Sequence, residues 1–267
     1  MVNLKDSLER FNQLAKEIAM QEEGNLRFKA KFIPVHKVAE QYYCEKKVEM
    51  KYIYGEEETL EMKLGKKAHE LLLKDAVAIK REELWRKIFS GKPVNVREML
   101  LLGKHNKIII AGIADAVFFN KGLPLFLFEY KFSNKPIPFR DHHVQPRLYC
   151  YLLHLMGWNT SKLKYALIIS PVECKEDREL GKIPLHIITQ PKEERLRVKL
   201  QNGYANIYIN DFDIKEAINE LNWALSFWIE ERQAKPTTKK GKCVICEFKE
   251  ICDSSLYKIK VINKKSH

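Results

Sequence analysis

Residues 107–132 read KIIIAGIADAVFFNKGLPLFLFEYKF and decide the fold, because they contain two apolar, β-rich runs on either side of one turn. The runs cover 107–119 and 125–131, with the residues of high strand propensity that are typical of a buried sheet. Between them, residues 120–124 (NKGLP) combine Asn, Gly and Pro, which favour turns. The segment therefore predicts a β-hairpin.

Two carboxylates are predicted to meet across this hairpin. With the turn centred on Gly122, antiparallel pairing places Asp115 opposite Glu129. Opposed residues in a sheet have Cβ atoms about 5 Å apart, close enough for both carboxylates to bind one hard divalent cation. Lys131 follows Glu129 by two residues and shares its face, whereas Tyr130 points to the other face.

This set of residues is the one that phosphodiester hydrolysis needs. Asp115 and Glu129 would hold Mg²⁺ or Mn²⁺, the backbone carbonyl of Tyr130 is a further oxygen ligand, and Lys131 would orient water or stabilise negative charge. A Glu-x-Lys pair on a strand is more often a solvated surface pair. Here the strand is apolar on both faces, and buried charges need partners or a metal.

Three further residues could complete the site. His69 lies on a predicted helix, and a neutral imidazole suits a second site that prefers Mn²⁺, although a lone helical His is more often an ordinary residue. Gln145 and Tyr149 are four residues apart and share one face of a later helix, so that an amide and a phenol could grip a phosphate or a base. Since proline is comfortable only in the first helical turn, Pro146 predicts that Gln145 lies near the N-terminus of that helix.

The cysteines are clustered. Cys243, Cys246 and Cys252 have the spacing C-x₂-C-x₅-C, and Cys44 is the only cysteine in the first half of the chain. The pattern predicts a metal or cluster site that joins the two ends of the chain. Four thiolates can bind Zn²⁺ or an iron-sulfur cluster; the x₅ gap favours the cluster, and disulfides are the remaining alternative.

Composition narrows the class of protein. The chain has 267 residues, 45% of them apolar, and a formal net charge of +12, which favours a polyanionic partner such as nucleic acid. A generic lysine-rich surface is the alternative. No apolar run is long enough to span a bilayer and no signal-peptide core is present, so we expect a cytoplasmic protein with no membrane partner.

The order of helical and strand patterns predicts a mixed α/β fold in a single integrated domain. Past Pro138 a helix is expected, to about Met156, with strands at 165–170, 185–189 and 205–210. The domain divides into an N-terminal amphipathic helix, a helical region with Cys44 and His69, the core, and a C-terminal helix with the cysteine cluster, at residues 1–30, 31–105, 106–212 and 213–267.

Taken together, these residues resemble the RecB-like branch of the PD-(D/E)XK nucleases and, more closely, the CRISPR-associated Cas-four exonuclease family. The match runs in order over residues 34–252, through His69, Asp115, Glu129-Tyr130-Lys131, Gln145-x₃-Tyr149, and Cys44 with Cys243, Cys246 and Cys252. The resemblance implies a restriction-endonuclease-like core, with a central mixed β-sheet flanked by helices. It also implies an N- and C-terminal helical subdomain clamped by a 4Fe-4S cluster.

The resemblance also implies roles for these residues. The four cysteines would hold the 4Fe-4S cluster, and Lys131 would be catalytic. Mn²⁺ or Mg²⁺ would be bound by His69, Asp115 and Glu129, while Gln145 and Tyr149 would contact DNA.

The implied activity is cleavage of single-stranded DNA, 5′ to 3′, that prepares fragments for insertion into CRISPR arrays, with the integrase proteins of adaptation as partners. The alternatives are a RecB-like DNA repair nuclease, a non-catalytic nucleic-acid-binding protein stabilised by a metal or cluster, and a redox-sensing protein.

Overall fold

The computed structural model describes residues 4–55, 75–189 and 195–257. These residues form a mixed β-sheet with helices packed on both faces, which confirms the predicted mixed α/β class. His69 and part of the helix predicted around it lie outside the described residues. In the described ranges, every helix is too short or too polar to cross a membrane.

Seven strands form the sheet in this part of the chain, in the order β1-β3-β4-β5-β7-β6, with β2 also paired to β3. The β1–β3 and β4–β5 pairs are parallel, and the other pairs are antiparallel. The strands are β1 (Ile33–Pro34), β2 (Val94–His105), β3 (Ile108–Asn120), β4 (Leu123–Phe132), β5 (Lys164–Ser170), β6 (Arg195–Leu200) and β7 (Gly203–Asp211).

Helices cover both faces of this sheet. They are α1 (Leu4–Met20), α2 (Val35–Tyr54), α3 (Asp75–Phe89), α4 (Arg140–Leu155), α5 (Ile183–Thr189), α6 (Ile214–Trp228) and α7 (Lys240–Val244). Asp213 caps α6, because its carboxylate accepts hydrogen bonds from the Lys215 and Glu216 N–H groups.

The core has two layers because side chains alternate along each strand. On β4, Leu127 is buried on the face that packs against α1, α2, α4 and α6, and Phe128 is buried on the opposite face, which packs against α5. Odd-numbered residues of β4, including Glu129 and Lys131, therefore lie on the same face as Leu127. This places them beneath helices α2 and α4.

Two segments differ from the sequence prediction. Residues 94–105, expected within a helical region, form strand β2, because they pair along the whole length of β3. Residues 185–189, expected to be a strand, belong to helix α5. There Ile183 and Ile187 are both buried at a spacing of four, which is a helical period.

Helix α4 starts earlier than Pro146 predicts. It begins at Arg140, so Pro146 is inside the helix and Gln145 lies beyond the first turn. Proline removes one helical hydrogen bond, but Val144 and Leu148 on either side of it are buried in the core. Tertiary packing therefore holds this helix across a residue that local propensity disfavours.

Candidate active site

The turn of the β3–β4 hairpin is tighter than the sequence indicates. Lys121 and Gly122 form a two-residue turn, both with positive φ, 51° and 73° respectively. The strand register shifts by one residue between Phe118 and Phe119 on β3. Because of this shift, the residues beyond it pair as they would around a turn centred on Gly122, which is the predicted register.

Strand pairing in this hairpin stops at Ala116 and Phe128, one residue before Asp115 and Glu129. In place of the next backbone pair, Asp115 Oδ2 accepts a hydrogen bond of 2.8 Å from the Tyr130 N–H. The N–H and C=O of one residue in an extended strand point to the same edge, so the Tyr130 carbonyl also faces this gap. The two carboxylates and this carbonyl therefore converge where β3 and β4 separate.

A chain of hydrogen bonds extends from Glu129 to helix α4. The Lys131 ammonium lies 2.8 Å from Glu129 Oε1 and donates to Gln145 Oε1 at 2.7 Å. Gln145 Nε2 in turn donates to the Tyr149 hydroxyl at 3.0 Å. The structure thus joins four of the residues that were selected from the sequence into one network.

Burial dominates the electrostatics of the two carboxylates. It raises the pKa of Glu129 to about 7, although the nearby Lys131 ammonium lowers the pKa and Asp115 raises it further. Burial also raises the pKa of Asp115, against the stabilising Tyr130 N–H. Two anionic carboxylates are costly in this environment unless a cation joins them.

The donor atoms fit a hard divalent cation. Glu129 is only 2% exposed, and its Oε2 has no hydrogen-bond partner among the described residues. An orphaned buried carboxylate oxygen beside a second carboxylate is the donor set that Mg²⁺ or Mn²⁺ prefers. Asp115, Glu129 and the Tyr130 carbonyl would hold such an ion.

Tyr149 contacts β3 directly because the strand has a glycine at that point. A Cβ atom on Gly112 would lie 2.4 Å from Tyr149 Cε1, so any larger residue would displace the ring. Burial keeps the pKa of the Tyr149 phenol well above its ordinary value. The phenol therefore stays neutral and can hold the Gln145 amide.

Glu98 is a residue near this site that the sequence analysis missed. It lies on β2 between Arg97, which pairs with Ala116, and Met99, and is thus opposite Asp115 with a positive φ of 48°. Its charge contributes to raising the Asp115 pKa. Both carboxylates line an open cavity of about 830 Å³. The alternation of Val94 and Val96 with polar neighbours was the available strand signal.

The four cysteines predicted to bind a cluster are close in space, although Cys44 is far from the other three in the sequence. Cys44 interrupts helix α2 with an extended conformation, φ −170° and ψ 115°. It lines one cavity together with Cys243, Cys246 and Cys252. Four lysines, at positions 46, 47, 242 and 249, line the same cavity and would offset the negative charge of thiolates.

No disulfide links these cysteines, all of which are free thiols. Burial raises the pKa of Cys246 and of Cys252. Over the described ranges, no three Cys, His, Asp or Glu side chains are arranged to hold a single metal ion. The four thiols thus line one cavity, but in the described part of the chain they are not arranged as ligands of a single ion.

A family model of nucleases matches most of the chain. The family model described as the PD-(D/E)XK nuclease superfamily matches residues 33–253. Among solved structures, one described as "Crystal structure of SSO0001" is 17% identical, with 95% of each chain covered and a TM-score of 0.43. No curated protein matches the chain significantly.

Proposed function

The chain belongs to the PD-(D/E)XK nuclease superfamily, whose members are metal-dependent nucleases, and we propose that it is a deoxyribonuclease that degrades single-stranded DNA from a free end. The observation that carries this proposal is the convergence of Asp115 and Glu129 with an orphaned buried oxygen, beside the Lys131 ammonium. Carboxylates and a lysine in this arrangement suit phosphodiester hydrolysis.

The metal ion would be held by Asp115, Glu129 and the Tyr130 carbonyl, with His69 as the proposed additional ligand. When bound, Mg²⁺ or Mn²⁺ polarises the phosphate and acidifies its bound water. Burial raises the pKa of Glu129 to about 7, and a bound cation would favour its charged form near neutral pH.

Lys131 supplies a fixed positive charge beside the reacting phosphate. Its ammonium is held between Glu129 Oε1 and Gln145 Oε1, which orients it and leaves Glu129 Oε2 without a hydrogen-bond partner among the described residues. There it stabilises negative charge that develops on the phosphate and orients the attacking water. Gln145 keeps a second Nε2 hydrogen for a DNA phosphate, and Tyr149 fixes the amide orientation.

The direction and biological role of the cleavage come from the resemblance to the Cas-four exonuclease family. We propose 5′ to 3′ digestion in the cytoplasm that prepares DNA fragments for CRISPR spacer acquisition, with the adaptation integrase as partner. A RecB-like repair nuclease would use the same site. The net charge of +12 supports a nucleic-acid substrate in either role.

A 4Fe-4S cluster on Cys44, Cys243, Cys246 and Cys252 is part of the proposal. Support comes from the four thiols lining one cavity together with four lysines, and from their match to the family pattern. Zn²⁺ is the alternative occupant, since thiolates accept either. Iron, sulfide and zinc analysis of the purified protein, with its visible spectrum, distinguishes the two.

The nuclease proposal is tested on single-stranded DNA labelled at the 5′ or the 3′ end, with Mn²⁺, Mg²⁺ or EDTA. We expect cleavage that requires the metal and releases nucleotides from the 5′ end. The variants Asp115→Asn and Lys131→Met should lower the cleavage rate by at least roughly 100-fold. Glu176→Gln is the matched control, because Glu176 is an exposed carboxylate that lines the Asp115 cavity.

Circular dichroism and iron content should not change in these variants. Cleavage by Asp115→Asn at the parental rate would contradict the proposed metal centre. If the protein binds DNA but does not cleave it with any of the metals, the function is that of a non-catalytic nucleic-acid-binding protein.

A further inference from the structure

A groove beside the cysteine cavity has no role in the hydrolysis described above. Its first part is a cavity of about 460 Å³ between residues 42–44 at the α2 break, Arg140 at the start of α4, Trp223 of α6 and residues 235–239. It continues into a second cavity of about 520 Å³, with which it shares three lining residues. We name the two together the basic groove.

Positive charge dominates the first part of the basic groove. Arg140, Lys235 and Lys239 are exposed there, and Lys242 is half-buried. Glu220 is the single carboxylate among the described residues that line this part, and it is buried in an ion pair with Arg147. The exposed charges that a ligand would meet in this first part are therefore cations. The second part also has the exposed Glu216 carboxylate, which is paired with Arg147.

Aromatic rings lie among these cations. The Tyr42 and Trp223 rings are half-buried, with centroids 4.5 Å apart. The Arg140 guanidinium lies 4.7 Å from the Tyr42 centroid. The Arg232 guanidinium lies 4.8 Å from the Trp223 centroid, so each ring already has a cation and a ring against it and presents its exposed edge to the groove. Cations that follow a groove beside aromatic side chains are an arrangement that binds single strands without sequence preference.

One wall of the basic groove is held in place. The Lys235 N–H donates to Glu45 Oε2 at 2.8 Å, and the Glu45 N–H donates to the Lys235 carbonyl at 3.2 Å. Lys242 Nζ donates to the Tyr43 carbonyl at 2.9 Å. The segment that bears the lysines is thus fixed against helix α2, which lowers the entropy that binding would cost.

We propose that the basic groove binds single-stranded nucleic acid, with phosphates against Arg140, Lys235 and Lys239 and bases against the exposed edges of Tyr42 and Trp223. The inference rests on the proposed nuclease function and gives its substrate a second contact surface. Arg140 and Gln145 are five residues apart on α4, which places them about 140° apart around the helix axis. The groove and the Lys131 site therefore lie on different faces of α4, and the groove anchors the strand away from the reacting phosphate.

Binding is measured separately from cleavage, with the full-length Asp115→Asn variant in EDTA. The probe is fluorescein-labelled oligothymidylate of about 20 nucleotides, longer than common single-strand sites. We expect the added Lys235→Gln and Lys239→Gln changes to weaken binding about tenfold or more at low salt. The dependence of log affinity on log salt should also become shallower by about 0.7 per lysine.

Trp223 offers a second measurement. It is the one tryptophan of four that lines the groove, since the other three are at most 2% exposed. Oligothymidylate should quench tryptophan fluorescence, and Trp223→Phe should abolish the quenching.

Lys199→Gln is the control for the lysine variants, because Lys199 is an exposed lysine on the outer strand β6.

The inference is overturned if the double lysine variant binds with the affinity and salt dependence of the control. Equal binding of duplex DNA of the same length would overturn the preference for single strands. If binding depends on the groove but the parental protein cleaves nothing in Mn²⁺, the groove stands and the nuclease proposal fails.

Discussion

At the scale of single residues, the site depends on one glycine as much as on its carboxylates. Tyr149 packs on β3 at Gly112, three residues before Asp115, and Tyr149 holds the Gln145 amide that orients Lys131. A single Cβ atom at position 112 would therefore disturb the whole hydrogen-bonded network.

We predict that Gly112→Ala lowers the free energy of unfolding by about 1–3 kcal/mol, the usual cost of overpacking, and lowers the cleavage rate. The added Cβ would also lie 3.1 Å from Val35 Cβ, so the new methyl group is crowded by a second neighbour besides the Tyr149 ring. Urea unfolding and end-labelled DNA cleavage measure the two effects. Gly241→Ala is the control, because its Cβ would meet nothing within 4 Å.

The sequence predicted part of this geometry. The opposition of Asp115 and Glu129 follows from the period of a strand and the position of a turn, and the structure has this register. The orphaned Glu129 Oε2 could not be predicted, because it depends on helices α2 and α4 that cover the strand. Glu98 was missed because its strand was read as part of a helical region.

At the scale of elements, helix α2 carries two features that its sequence pattern does not show. Its first turn contains His36, which is half-buried and whose buried Nδ1 has no hydrogen-bond partner among the described residues. It is then interrupted at Cys44. A helical periodicity predicts that a segment is helical, but a single extended residue leaves that periodicity almost unchanged.

We predict that His36 makes the protein sensitive to acid. Burial, with the adjacent Lys37, lowers its pKa from 6.5 to about 3, and a positive charge in the first turn also opposes the helix dipole. The folded state then binds fewer protons than the unfolded state below about pH 6.5. This contribution to stability is complete above that pH, and roughly 2–3 kcal/mol of it is lost by about pH 4.5.

Urea unfolding at a series of pH values tests this prediction. His36→Gln should lose less stability than the parent between about pH 6.5 and 4.5, because glutamine does not titrate there. His186→Gln, at an exposed position of α5, should follow the parental profile. Parallel profiles for the parent and His36→Gln would show that the histidine is already solvated or protonated.

At the scale of the whole molecule, Glu45 ties the N-terminal and C-terminal parts of the described chain together. It is 1% exposed, and Arg232 Nη2 donates to its Oε1 at 2.7 Å. The same carboxylate accepts hydrogen bonds from the Lys235 N–H and from Gln41 Nε2. Because Glu45 directly follows Cys44, this buried network fixes residues 232–235 beside the wall of the cysteine cavity and of the basic groove.

We predict that Glu45→Gln lowers the free energy of unfolding by about 3 kcal/mol, because it leaves the Arg232 guanidinium without its anion. Urea unfolding measures the loss. Limited proteolysis should also become faster at the lysines of 235–242, since their anchor is weakened. Glu17→Gln is the control, because Glu17 forms a more exposed ion pair with Lys104, worth about 0–1 kcal/mol. If Glu45→Gln and Glu17→Gln lower the free energy of unfolding by the same amount, the proposed role of Glu45 is wrong.

The sequence by itself determined the class of the fold, the hairpin, most helices and the identity of the clustered cysteines, because these follow from local periodicity and spacing. Only the tertiary structure showed that regular strand pairing ends one residue before Asp115 and Glu129, and that Glu129 Oε2 has no hydrogen-bond partner among the described residues. It also formed the basic groove. These features depend on contacts between residues far apart in the chain, which no local pattern contains.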